Sequence, residues 1–176
     1  MTEKYHWFLR TLHWLIALMI LGLIGVGYYM VGLDGKDPLR PTLYFWHKSF
    51  GATVLFLVML RIVVRIATLI PPLPETIPAI VRKLAHAAHY ILYFFMITVP
   101  VSGYVMSTAY GYKVSVFGWF NLPMLLPKDK PIGDIAHELH EILPYVLLGV
   151  VVLHVAGAIK HRFFDAKEND VLKRML

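Results

Sequence analysis

Four long apolar runs organise the chain, and the charged positions cluster near their ends. The first runs from about Thr11 to Leu33, with no acidic or basic residue between Arg10 and Asp34, enough to cross the roughly 30 Å hydrocarbon layer of a bilayer as a helix. The second, about Leu43 to Ile70, is interrupted by Lys48, Arg61 and Arg65, so its charge-free centre from Ser49 to Leu60 is short for a span. The third, about Leu84 to Tyr112, is free of charge between Lys83 and Lys113, and Pro100 is expected to kink it. The fourth runs from about Ile135 to Phe163, and a charged tail from Asp165 to Leu176 follows. Gly32, Gly35, Pro38 and Pro41 mark the first connection, and Pro71, Pro72, Pro74 and Pro78 the second. The third connection, Lys113 to Asp134, has an apolar centre with Phe117, Trp119 and Phe120 that is expected to lie in the membrane interface. The pattern predicts an all-α membrane protein, one four-helix transmembrane bundle over residues 1–176.

Composition supports that reading. Hydrophobic residues make up 58% of the chain, charged residues only 16%, and mean hydropathy is +0.62, too apolar for a soluble domain. The net charge of +6 does not point to nucleic acid, because the basic residues edge the apolar runs and form no basic face. They act as topology signals. Eleven of the 17 lysines and arginines fall on the side of the two termini, so both termini are expected in the cytoplasm. The first residues, with Glu3, Lys4, His6 and Arg10, run into an apolar segment without a small-residue cleavage site and read as the start of a retained helix. With no cysteine present, disulfides, iron–sulfur clusters and thioether-linked haem are excluded, and histidine remains as the soft ligand.

The histidines carry the chemistry. His140 and His154 are fourteen residues apart on the fourth run, so on a helix they share nearly one face about 21 Å apart along its axis. Buried ionisable groups inside a membrane are costly and generally functional. Sorted by depth, His13 and His154 lie near the cytoplasmic ends of their spans, and His47 and His140 near the outer ends. Two level-matched pairs from different helices are what bis-histidine ligation of two b-type haems requires. His137 is rotated about 100° from that face and is less suited than His140. Gly51, four residues after His47, leaves room for a flat cofactor against the backbone. Arg61 shares the His47 face at the other membrane surface and, with Arg65, is a candidate partner for the propionates of the cytoplasmic haem; Arg10 is a weaker one. His86, His89 and His161 lie at the cytoplasmic end, as proton donors beside a quinone or as propionate partners. Trp14, Trp46, Met59 and Met106 read as packing, and no axial methionine is assigned.

The stretches Leu12-His13-Trp14, His47-x-x-x-Gly51, Leu60-Arg61-x-x-x-Arg65, Leu84-Ala85-His86-x-x-His89, His140-Glu141 and Leu153-His154 resemble the bacterial cytochrome b561 family across essentially the whole chain. More loosely, they are similar to the cytochrome b subunits of nickel-iron hydrogenase and formate dehydrogenase. The resemblance implies two haem b groups, one on His13 and His154 and one on His47 and His140, in a multi-pass protein of the bacterial inner membrane. It also implies a ubiquinone site at the cytoplasmic end near Thr11 and His161, and superoxide oxidation at the periplasmic face. The family's quinone site can include a lysine in the second connection, where this chain has Glu75 and Thr76. Lys48, Lys113, Lys128 and Lys130 are expected near the outer haem edge, where they would attract the superoxide anion. A cytochrome subunit serving a periplasmic redox partner protein is the second reading. A histidine-lined metal transporter or a cofactor-free scaffold is the third, and a b-type absorption spectrum separates it from the other two.

Overall fold

The computed structural model describes residues 4–176. Four helices, α1 (Trp7–Gly32), α2 (Leu39–Ala67), α3 (Ala79–Ala109) and α4 (Lys130–Phe163), are each long and apolar enough to cross a membrane. Every one begins four or five residues before the apolar run that signals it. Each first turn carries a lysine or arginine (Arg10, Arg40, Arg82 and Lys130), so charge counting misses it, but a helix start needs a cap more than it needs freedom from charge. His6 accepts from the Phe8 N–H at the head of α1. Asp37 accepts from the Leu39 N–H ahead of α2, and Asp129 accepts from the Ile132 N–H ahead of α4.

Apolar side chains point outward as well as inward. A small core of Leu12, Ile16, Ile20, Val54, Val58, Leu92 and Leu147 fills the bundle, while Leu18, Phe56, Ile66, Tyr90 and Leu153 are exposed. In water such a surface would drive association; in lipid it is the solvated face. α3 packs along α4, α1 along α2, and α2 more lightly on α3. Among the described residues neither α1 nor α2 packs its backbone closely on α4, which leaves gaps running along that helix.

Both ends of the bundle are closed by segments expected to be looser. Between α3 and α4 the chain forms a hairpin, β1 (Ser115–Val116) against antiparallel β2 (Phe120–Asn121). Its turn places Phe117 at φ 53° and Gly118 at φ 77°. A tyrosine or phenylalanine rarely adopts such a conformation, and an anchor holds it here. Ser49, fully buried on α2, lies 3.0 Å from the Ser115 carbonyl and accepts from the Phe117 N–H at 3.1 Å. Val114 and Val116 are buried while Trp119 stays exposed, so only part of this segment is free to lie in the interface.

The C-terminal tail folds back over the opposite end in two short 3-10 turns, Lys167–Asn169 and Leu172–Arg174. Arg174 donates to the carbonyls of Pro71 and Pro72, and Arg162 pairs with Asp170. The Tyr5 N–H bonds the Arg174 carbonyl, and the Trp14 indole bonds that of Met175. The two termini therefore meet on one side of the bundle. Burial alone would raise the Asp170 carboxyl, but the bonds from Arg162 and the Lys173 N–H outweigh it and hold it below its ordinary value. A carboxyl lowered on folding stabilises above its unfolded value and ceases to do so as pH falls through the folded one. The protection of the tail amides, taken relative to their intrinsic exchange rate at each pH, should accordingly fall as pH drops below the usual carboxylate range near about 4. Protection that persists unchanged through that range would contradict the clamp.

Candidate functional site

The gaps beside α4 are bridged by imidazoles. Near the hairpin end, His47 and His140 face one another with ring centroids 6.1 Å apart and planes at 86°. Near the end holding the termini, His13 and His154 do so at 6.3 Å and 65°. With a metal–nitrogen bond of about 2 Å on each side and roughly 1 Å from ring nitrogen to ring centre, two imidazoles across one metal ion have centroids about 6 Å apart. Each pair has the separation of a filled axial site.

Details of the first pair fit a flat group held between the rings. Val99 accepts from His140 Nδ1 at 2.9 Å, and the Ser102 hydroxyl lies 3.2 Å from the same nitrogen. That bond assigns the proton to Nδ1 and leaves Nε2 to bind a metal. Gly103 makes the approach possible, since a Cβ there would stand 2.7 Å from the ring. On the other side Gly27 backs His47, whose buried Nδ1 has no hydrogen-bond partner. The two rings border a cavity of about 80 Å³ that Gly51, Pro100, Val114 and Leu122 also line. A Cβ on Gly51 would meet nothing within 4 Å, so that backbone fronts open space. Among the described residues no cluster of three or more His, Asp or Glu is placed to hold a bare ion. Two imidazoles suit an ion that brings its other four ligands with it, as a porphyrin does.

The second pair has more neighbours. His89 on α3 lies with its ring centroid 5.6 Å from that of His154 and comes from a different helix than His13. Arg61 is buried at the same end and donates to the Leu9 carbonyl on α1, which occupies part of its fork; Arg65 is half-buried one turn further along. The Arg10 Nε is buried without a partner among the described residues. Thr11 sits on an exposed face with its hydroxyl on the Trp7 carbonyl. His161 lies 2.7 Å from Asp165, which Lys160 also binds. Those bonds, from Lys160 first and then His161, hold the Asp165 carboxyl below its ordinary value. His86 and His137 are exposed and join neither pair.

Of the four lysines expected around the outer site, only Lys48 lines the cavity, with its ammonium 5.4 Å from the Tyr112 ring centre. Lys130 is tied to Asp134 at 2.6 Å. In the second connection Thr76 bonds Asn169 of the tail at 2.6 Å. Sequence reasoning did not single out Val99, Ser102, Gly103, Gly27 or Asp165. Gly103 lies on a helix whose apolar run hides what stands opposite, whereas Asp165, four residues after His161, carried a readable helical spacing.

A four-helix membrane bundle whose histidines pair across α4 at two levels is the architecture of a b-type cytochrome. The chain belongs to the prokaryotic cytochrome b561 family, whose model matches residues 4–176. It is 36% identical to cytochrome b561 homolog 2 of Escherichia coli K12 over 178 residues, covering 99% of this chain and 92% of that protein. It is 28% identical to a probable superoxide oxidase, CybB, of Yersinia pestis, covering 99% and 97%. The protein is thus a bacterial membrane cytochrome that binds haem b and transfers electrons.

Gly103→Val should force the His140 ring aside, with an overpacking cost of about 1–3 kcal/mol, and lower haem absorbance per mole of purified protein. Gly22→Val, where a Cβ meets nothing within 4 Å, should leave it unchanged. Equal haem content in both would show that the contact at Gly103 does not constrain the ring.

Proposed function

We propose that the chain carries electrons across the bacterial inner membrane through two haem b groups, from superoxide at the periplasmic face to ubiquinone at the cytoplasmic face. The observation that carries this is the pair of imidazole separations, 6.1 and 6.3 Å, at two levels of one helix. His47 and His140 hold the outer haem, and His13 and His154 the inner one. Each haem supplies a site that gains and loses a single electron. The excess of positive residues beside the termini puts that end in the cytoplasm.

The polypeptide's own work is binding, orientation and charge. Val99 keeps His140 in the tautomer that offers Nε2, and a bond of this kind also strengthens the imidazole as a ligand. Lys48, lining the outer cavity, attracts a small anion and raises its encounter rate. Arg61 and Arg65, with His89, provide donors for the inner propionates, since one guanidinium has more N–H groups than the Leu9 carbonyl takes. Thr11 and His161 flank the quinone. Two superoxide anions each lose one electron and leave as dioxygen; ubiquinone takes both electrons and two protons, its carbonyl oxygens becoming the hydroxyls of ubiquinol. The similarity to a probable superoxide oxidase supports the choice of donor.

A reduced-minus-oxidised spectrum of purified protein should show a b-type band from two haems per chain. His47→Ala or His140→Ala should each remove one haem, about half of the signal, and His13→Ala or His154→Ala the other. A single replacement that leaves both haems in place overturns that ligand. Superoxide delivered by rapid mixing should reduce the oxidised protein, and failure to do so removes it as donor.

A further inference from the structure

The end of α4 carries a charge cluster that the path between the haems does not use. His161 Nδ1 lies 2.7 Å from Asp165 Oδ2, and only 13% and 19% of the two side chains is accessible. Lys160 Nζ sits 3.1 and 3.3 Å from the two oxygens of the same carboxylate. The neighbouring Arg162 is committed elsewhere, to Asp170 in the folded-back tail. His161 follows His154 by two helical turns, so it stands on nearly the same face about 10 Å further along the axis.

An exposed ion pair four residues apart on a helix contributes only a few tenths of a kcal/mol and has no meaning beyond that. Two features separate this pair from that case. Most of its surface is covered, and Lys160 already neutralises the carboxylate, so charge balance does not require the imidazole. What the second contact does is settle the tautomer: the ring N–H goes to Asp165 and Nε2 is left to take or give a proton.

We infer that Asp165 is a positioning residue for His161, aiming Nε2 at a quinone oxygen and steadying the ring while it carries the proton. This rests on the reading that ubiquinone is reduced at this end. In that reaction both electrons arrive singly from the two superoxide oxidations. The protons come from the cytoplasmic water: one passes to Nε2 of His161 and then to the quinone oxygen that Nε2 faces, and the other goes from water to the second quinone oxygen on the far side of the ring. Asp165 neither gains nor loses a proton in the cycle.

The test uses haem-loaded protein, reduced anaerobically and mixed with the short-chain quinone ubiquinone-1, with haem reoxidation followed by absorbance. Asp165→Asn and Asp165→Ser should each lower the maximal rate about tenfold or more, the usual scale for losing an orienting partner of a catalytic imidazole, with the half-saturating quinone concentration within about twofold. Asp165→Glu should restore most of the rate. His161→Gln should cost at least as much, and adding Asp165→Asn to it should cost nothing further, because the two act as one unit. Lys160→Met, which removes the other tie on the carboxylate, should stay near wild type. Haem spectra and reduction by superoxide should be unaffected throughout. Wild-type rates in both Asp165 replacements, or an equal loss in Lys160→Met, overturn the inference. Unmodified protein that is not reoxidised by ubiquinone-1 at all overturns instead the reading on which it rests.

Discussion

Lipid offers no hydrogen bonds, so an imidazole inside a membrane bundle has to be satisfied by the chain or by something the chain holds. That requirement shapes α4 and everything packed around it. His140 meets it on one nitrogen through the Val99 carbonyl, and its ring faces that of His47. His47 leaves its Nδ1 without a partner among the described residues. A bundle built only for packing would fill such a place with leucine. The cost is acceptable where a metal takes up the free nitrogens. α1 and α2 stand off from α4 while α3 lies against it, and the two imidazole pairs face one another across the first two gaps, where the proposed haems would sit.

The close packing of α3 on α4 is also what orients the rings. Gly103 brings the α3 backbone to the edge of His140, and Ser102 and Val99 of the same turn supply the polar contacts. One helix therefore carries the His140 ring and its neighbour sets that ring's direction. The division explains why a substitution on α3 should reach whatever His140 binds. It also explains why the ligand helix itself tolerates exposed apolar residues such as Leu153 and Val152 beside His154: its other face meets lipid.

The four spans and the level-matched histidines were legible because both are written in one-dimensional spacing. An apolar run and a fourteen-residue interval survive without knowledge of neighbours. The glycines were legible only in part. Gly51 shares the His47 face, whereas the role of Gly27 depends on α1 lying beside α2, which no spacing states. The hairpin escaped for a related reason. Its register rests on Ser49, which belongs to a different element and reads as an ordinary helix residue. The tail escaped because a run of charges reads as solvated, yet here Asp170 and Arg174 find partners on α4 and the second connection and are buried at 4% and 7% exposure. Arg61 shows the opposite limit: its face was predictable, but its bond to Leu9 depends on the packing of two helices.

The two ends of the bundle differ in a way that suits opposite tasks. At the hairpin end Lys48 is the single ammonium or guanidinium in a cavity wall that otherwise holds Tyr44, Tyr104, Ser107, the His47 and His140 rings and apolar side chains, and on the proposed reading one such cation is enough where a small anion only has to arrive and surrender an electron. At the other end the chain gathers His89, His161, Asp165, Arg162 and Asp170 under a folded tail. If quinone is reduced there, as proposed, the reaction adds protons as well as electrons and needs groups that hold and pass them, and those groups need shelter to keep fixed partners. The tail supplies cover without adding a span, since its own charges are paired inward. Polar chemistry is thereby confined to one surface, and the α4 segment between the two histidine levels stays apolar from Ile142 to Leu153 but for Pro144, Tyr145 and Gly149, where a proton path would short-circuit the separation of the two faces.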